Sequence, residues 1–527
     1  MDVEFQVKKG PLYFIRHIDI AGNTRTFDPV IRREMKMVEG QLYSARSIQL
    51  SNTRVRRLGF FEDVAFEPQP TEDPAQLDMD VSVVERPTGA FSFGAGFSSQ
   101  DKFVLSASLN NTNAFGRGYG VNLTGEYGGR TTRFFLSVTD PYVLDSTFSL
   151  GVTGFITTVR FEDFEQDQVG VDFTLGHALR EDNTARGFLH YSYAERRIKQ
   201  ASNVNTSAPL FREILQKNET SSTLGISFRS DTRDDRFAPT SGTNYGGTLE
   251  YAGLGGFANF VRAEGRFSYY LKAPSWMFDR SAFVWANKIG YAVPFNSISD
   301  YELDLPEVTP CNSEDRCVNV AELDDIDTDV KLPLSDRYFL GGIGAFQLRG
   351  FKSRSVGPRR PILRRSQILG DGPLFFPVGT ELQTDGQGRL VAVCNDVEDP
   401  DNPNFNPNQG NRNGKCNSLG DKDIDDFDDL NETDVIGGNS FITSSVEYRF
   451  PISQDAGLMG ILFFDMGNAF YEDQNLFDVT EWRYGYGGGV LWFSPFGPLQ
   501  VVLGFPVDPL EVEKSPVFEF SVGGFAQ

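Results

Sequence analysis

From Ala90 to the C-terminus, apolar and polar residues alternate with period two in short runs separated by turn residues. Successive side chains of a strand point to opposite faces, so each run has one apolar and one polar face. The runs fall at 91–97, 103–109, 119–127, 134–138, 147–156, 169–175, 188–193, 222–229, 245–251, 262–271 and 282–291. After a long gap they resume at 440–450, 460–470, 483–493, 499–505 and 517–525. Two of the late runs are informative. In 440–450, Ile442, Ser444, Val446, Tyr448 and Phe450 share one face, and Glu447 and Arg449 lie on the other. In 460–470, Leu462, Phe464 and Met466 oppose the face that carries Asp465. A strand apolar towards lipid and charged towards a lumen is what the wall of a membrane barrel requires, and about sixteen strands lies within the even-numbered range of such barrels.

The first 87 residues have another texture. Residues 13–20 read as a strand, Thr26 with Pro29 opens a short helix through Met35, and 44–58 read as a second helix. Two further strands follow at 61–67 and 77–85. This β-α-α-β-β order predicts a small α+β module, a three-stranded sheet with two helices on one face, over 1–87. Arg86-Pro87-Thr88-Gly89 reads as the linker to a barrel over 88–527. The gap at about 296–438 is far longer than a connection without regular structure usually runs. It holds all four cysteines, a Leu348-Arg349-Gly350-Phe351 segment and an acidic run, so it reads as functional.

Composition narrows the classes. Lys and Arg total 49 against 72 Asp and Glu, a net charge of −23, which disfavours nucleic acid as a partner. No run of about 18 apolar residues exists, which excludes helical membrane spans. A mean hydropathy of −0.31 is compatible with a barrel, because alternate residues face the lumen. The 47 Phe, 18 Tyr and 53 Gly suit aromatic- and glycine-rich strands. Met1 is followed by no apolar leader stretch, so an exported chain with this start is expected to be a mature or truncated form.

The four cysteines have no metal-finger spacing; they read as two local disulfides, Cys311–Cys317 and Cys394–Cys416, in an oxidising compartment, with free loop thiols as the alternative. Asp421, Asp423 and Asp425 sit at alternate positions as in a calcium loop. Asp426 stands where that loop needs glycine, so the run reads as a solvated acidic loop. There is no nucleophile elbow, phosphate-binding loop or dinucleotide fingerprint, and His17, His177 and His190 are scattered. No enzyme activity, cofactor or metal is expected.

Residues 339–351, ending in Arg349-Gly350-Phe351, closely resemble the lumen-entering sixth extracellular loop of the outer-membrane barrel assembly factor family typified by BamA. Phe464-Asp465-Met466-Gly467-Asn468 is similar to that family's strand-thirteen signature, and one POTRA module ahead of a sixteen-stranded barrel follows the family's order. The resemblance covers nearly the whole chain. It implies a mainly β fold, a sixteen-stranded antiparallel transmembrane β-barrel preceded by one small α+β POTRA module in the periplasm of a Gram-negative outer membrane.

It also implies roles. Arg349 would pair with Asp465 and Glu447, a planar guanidinium fork bridging two carboxylates whose register independently faces the lumen. Left unpaired there, Arg349 would cost roughly 3–5 kcal/mol; the alternative is an exposed loop cation. Gly350 and Phe351 complete the loop tip. The first and last strands would form a lateral gate, with Phe91, Phe93, Gly94 and Gly96 on one side and Phe518, Phe520, Gly523 and Gly524 on the other. Glycines also serve ordinary barrel curvature. Family barrels usually end on an aromatic residue, whereas Ala526 and Gln527 follow Phe525 here.

The expected function is ATP-independent folding and insertion of client barrels as the central component of an assembly machinery. Its partners would be unfolded outer-membrane client proteins, accessory assembly lipoproteins at the POTRA module, and outer-membrane lipids. The alternative is a POTRA-barrel translocation pore, of the two-partner secretion or TamA type; the long, cysteine-stapled loop favours the assembly factor.

Overall fold

The computed structural model describes residues 12–98, 102–200, 219–295, 332–367 and 433–522 apart from scattered single positions and pairs, and the short stretches 206–207, 373–377, 381–384 and 390–393. At the N-terminus, β1 (Phe14–Ala21), α1 (Asp28–Arg32), α2 (Ala45–Arg57), β2 (Phe61–Pro70) and β3 (Gln76–Glu85) build the small module. Its sheet has the order β1-β3-β2, with β1 parallel and β2 antiparallel to β3. Inward positions Ile18, Val64, Met79, Val81 and Val83 close a core with Ile31 of α1 and Val55 of α2. Ser44 caps α2, its Oγ accepting from Ser47 N at 3.3 Å, and Arg54, Arg56 and Arg57 crowd the negative end of the helix dipole.

Helix α1 stops three residues before the predicted Met35. Lys36 N donates to Ser51 Oγ (2.8 Å), turning the chain so that Met35 and Met37 drop into the core. Glu85 holds the loop ahead of α1 by accepting from the backbone of Arg25 and Thr26. Burial works against its charge, yet these bonds and Thr24 keep its carboxyl below the usual range.

The barrel runs through β4 (Gly89–Ser98), β5 (Lys102–Ala114), β6 (Tyr119–Gly128), β7 (Thr131–Asp140), β8 (Phe148–Arg160), β9 (Phe164–Ala178) and β10 (Ala185–Gln200). A two-residue strand, β11 (Thr206–Ser207), lies in the loop that follows. The wall continues with β12 (Glu219–Asp231), β13 (Gly242–Ala252), β14 (Phe260–Lys272) and β15 (Ala282–Pro294). The long connection then carries β16 (Arg359–Gln367), β17 (Pro373–Pro377), β18 (Glu381–Thr384), β19 (Leu390–Val393) and β20 (Thr433–Val435). Closure comes from β21 (Ser440–Ser453), β22 (Leu458–Phe470), β23 (Arg483–Ser494), β24 (Gly497–Pro506) and β25 (Val517–Val522).

Among the described residues, sixteen of these strands form one closed antiparallel barrel, each beside its neighbour in sequence and β25 beside β4. Closure lets neighbouring strands satisfy one another's backbone groups within a bilayer, which an open sheet could not do. Outward positions are apolar at every second residue, as at Leu224, Ile226 and Phe228 of β12, or Phe267, Tyr269 and Leu271 of β14. No helix among the described residues is long and apolar enough to cross a membrane.

The connection between β15 and β21, read as functional from its length and content, carries described structure at 332–367. Residues 332–358 turn back into the lumen, and β16 pairs with β11, β17 and β20 in a small sheet outside the barrel wall. The four cysteines, Gly523 and Gly524, and the acidic run at 421–429 lie outside the described residues.

The module sits directly on the barrel's near rim. Asn113, at the β5–β6 turn, donates through Nδ2 to Thr26 Oγ1 (2.9 Å) and accepts from Gly118 N (2.7 Å). Phe27 N reaches Gly116 O at 2.9 Å, and the Arg33 guanidinium lies 4.5 Å from the ring centroid of Tyr142 in the β7–β8 turn.

Candidate functional site: a loop lock and the seam between first and last strands

On β22 the inward set is Ile461, Phe463 and Asp465, all buried, while Leu462 and Phe464 face outward. On the neighbouring β21, Glu447 is buried and Val446 is exposed. The β21–β22 register sets Ser445 opposite Asp465, so both acids and a hydroxyl converge on one patch of the inner wall. Arg349 of the invading loop enters this patch and is 1% exposed.

Its guanidinium is fully engaged. Nε and Nη2 donate to the two oxygens of Asp465 at 2.8 and 2.7 Å, and its backbone N donates to Asp465 Oδ2 at 2.9 Å. Nη1 lies 2.7 Å from Glu447 Oε1, and Nη2 also donates to Ser445 Oγ at 2.9 Å. The underside of the guanidinium stacks on Phe463, with Cζ 3.9 Å from the ring centroid. Arg449 takes the other oxygen of Glu447 at 2.6 Å. Two guanidiniums therefore face two carboxylates, a neutral cluster whose buried members each keep hydrogen-bonding partners, the condition under which buried charge is tolerated.

The loop tip needs close backbone approach as well as charge. Gly350 adopts φ +100°, and a Cβ there would meet the backbone of Phe505 at 3.0 Å. Opposite it, a Cβ on Gly485 would stand 2.1 Å from Arg349 O, and one on Gly504 would stand 2.5 Å from Gly350 N. Phe351, 2% exposed, packs with Leu340, Leu348 and Phe441. Sequence reasoning missed this cradle, although the run Gly485, Gly487, Gly488 and Gly489 was the signal for it. It also missed Ser445 and Phe463; the inward parity of Phe463 with Asp465 could have found the second. Gly485→Val is expected to weaken loop docking by roughly 1–3 kcal/mol, the usual cost of forced overpacking. Faster proteolysis of 332–358 in the folded protein would report it, and an unchanged cleavage rate would refute the cradle.

The second expected site is the junction of β4 and β25. Neighbouring strands elsewhere are registered along their length, as β4 with β5 from Gly89↔Asn111 to Ser98↔Lys102. Between β25 and β4 the register is set by Ser521↔Ser98, and the positions that would continue it, 99–101 and 523–527, lie outside the described residues. Phe97 and Phe520 stack across it, with centroids 5.5 Å apart and planes at 11°. Phe91, Phe93 and Phe518 are exposed on the outer face. Gly94 faces Ser106, and Gly96 is buried beside Val104.

Comparison with known proteins places this architecture. The Omp85 superfamily domain matches residues 113–525, and the POTRA family, described as a surface antigen variable number repeat, matches 13–86. The chain belongs to the Omp85 superfamily. Among its relatives is the outer membrane protein assembly factor BamA of Nitratidesulfovibrio vulgaris, 24% identical over 530 residues, covering 100% of this chain and 53% of that protein. The BamA of Neisseria meningitidis serogroup B is 34% identical over 152 residues, 29% of this chain and 19% of that protein. The chain thus spans about half the length of the curated relatives that match it throughout. The crystal structure of Haemophilus ducreyi BamA lacking POTRA domains 1–3 shares the fold. It aligns with a TM-score of 0.68 at 19% identity, over 97% of this chain and 84% of that one. This Omp85 chain is an outer-membrane protein, with its barrel in the bilayer and its POTRA module in the periplasm.

Proposed function

We propose that this Omp85 chain is the membrane-embedded part of an outer-membrane barrel assembly factor, which speeds the folding and insertion of client barrels through the β4–β25 seam. The observation that carries the reading is the junction itself: the first and last strands meet at Ser521↔Ser98, with Phe97 stacked on Phe520 across them at 5.5 Å. An incoming client strand that displaced β25 would satisfy the N–H and C=O groups of the β4 edge by β-augmentation. The exposed Phe91, Phe93 and Phe518 lie at the same place, where lipid meets the junction. Strand pairing and burial of apolar faces in lipid are downhill, so the process needs no ATP.

In this reading the domains are a periplasmic module over 1–87 and a barrel over 88–527, and the docked loop around Arg349 keeps the lumen occupied while the seam works. The partners are unfolded outer-membrane clients, outer-membrane lipids around the seam, and accessory lipoproteins at the module. A translocation pore would instead pass its cargo through the lumen, which the 332–358 segment enters with Arg349 and Phe351 buried against the wall. The deciding experiment reconstitutes the chain in liposomes and follows the folding of an urea-unfolded client barrel. A rate well above that in empty liposomes is expected. No acceleration, together with a large steady conductance across a planar bilayer, would replace this reading with the pore.

A further inference from the structure

Twelve residues upstream of the Leu348-Arg349 tip segment, the same loop meets the wall a second time, with the charges reversed. Asp336 is 5% exposed. Its Oδ2 lies 2.6 Å from Arg196 Nη1 of β10, and its Oδ1 lies 2.9 Å from Arg262 Nη2 of β14. Arg262 Nη2 also donates to the backbone O of Asp336 at 2.9 Å, and Ser335 Oγ accepts from Arg196 Nη1 at 2.9 Å. Glu250 of β13 stands 3.7 Å from Arg262 Nη1 and 3.1 Å from His190 Nε2. Tyr338, 2% exposed, donates to Glu264 Oε1 at 2.9 Å and lies under the Arg262 guanidinium.

The two contacts mirror each other. At Arg349 the wall supplies Asp465, Glu447 and Arg449, an excess of one negative charge, and the loop supplies a cation. At Asp336 the wall supplies the guanidiniums of Arg196 and Arg262, with Glu250 beside Arg262 and Glu264 bonded to Tyr338, and the loop supplies an anion. At each patch the seated loop brings the opposite charge, and a seated loop without it would leave the wall charge buried and unpaired, far more costly than a satisfied pair.

The chain between them is stiff. Leu340 and Val356 exchange both backbone hydrogen bonds at 3.1 Å, and Gly342 and Leu348 do so at 3.2 Å. Gly342 N also donates to Phe351 O at 2.9 Å, and Tyr338 exchanges two bonds of 2.9 Å with Gly438. A displacement at one end is therefore passed to the other.

We infer that Asp336 is a positioning residue, a second anchor of opposite charge that holds the loop between Arg196 and Arg262 on one stretch of wall so that Arg349 is presented to Asp465 and Glu447 on another. The inference rests on the lumen loop described above and deepens the reading that its docking matters for assembly.

Hydrogen exchange of the folded protein tests it, because the Arg349 amide is itself bonded to Asp465, remote in sequence from Asp336. In Asp336→Asn, exchange across 348–351 is expected to rise about tenfold, the scale of one charge-assisted hydrogen bond, while the β21 and β22 amides stay protected. Asp336→Glu is expected to restore most of the protection, which a purely local packing role would not produce. Unchanged exchange at 348–351 in Asp336→Asn would overturn the inference. Should that variant fail to fold, Arg196→Gln removes one partner from the wall side; a several-fold rise supports the second anchor and no rise overturns it. The exchange reads docking alone, so loss of the assembly reading, seen as full client folding by an undocked Arg349 variant, would leave this result standing.

Discussion

Arg349→Glu is expected to expel the loop from the lumen. The substitution removes the cation that sits between Asp465 and Glu447 and adds a third carboxylate, leaving Arg449 as the remaining guanidinium of the cluster. Breaking a buried pair costs roughly 3–5 kcal/mol, so docking weakens by two to four powers of ten on the order-of-magnitude scale of such losses. Two measurements check it: cleavage of 332–358 by added protease, and the rate at which the protein folds a client in liposomes. Both should change together. Arg349→Lys should fall between, because an ammonium is a point charge and cannot fork onto both oxygens of Asp465 while reaching Glu447. Unaltered loop protection and client folding in the Glu variant would remove the lock from the mechanism.

Joining the seam should abolish assembly reversibly. Ser98 and Ser521 are Cα partners, and directly opposed antiparallel residues stand about 4.5–5.5 Å apart, inside the range a disulfide spans. In Ser98→Cys with Ser521→Cys, oxidation is expected to bring client folding down to the rate of empty liposomes, and reductant to restore it. The parent chain under the same oxidant controls for the four native cysteines. Full activity of the cross-linked protein would exclude the seam as the route of insertion.

Alternation made the barrel legible because its two faces meet different media. Where lipid lies outside and polar groups inside, parity alone places Leu462 and Phe464 outward and Asp465 inward. The loop tip was legible through the resemblance of residues 339–351 to the family's lumen-entering loop, which the inward parity of Glu447 and Asp465 supported.

The rest follows no period. Asp336 sits in a 3-10 turn with nothing local to mark it, and Arg196 and Arg262 look like any lumen-facing charge until the loop is folded against them. Gly485 and Gly504 resemble the curvature glycines of every strand, yet their missing side chains are filled by the backbone of a segment more than a hundred residues away. Helix α1 was overextended for a related reason: Ser51, on another helix, captures the chain at Lys36. In each case the deciding contact is long-range, and spacing gives at most a hint of it, as the glycine run of β23 does for the cradle.

The seating of the module on the barrel has a mechanical consequence. Its contacts fall on the β5–β6 and β7–β8 turns, and the Arg86–Thr88 linker feeds straight into β4. The loop contacts described above fall instead on β10, β14 and β21 to β24. The cylinder is thus shared between two handles: one arc gripped from within by the loop, the other levered from below by the module. Any force that tilts the module in the periplasm is delivered as torque to the arc that begins at β4, with the loop-gripped arc as its fulcrum.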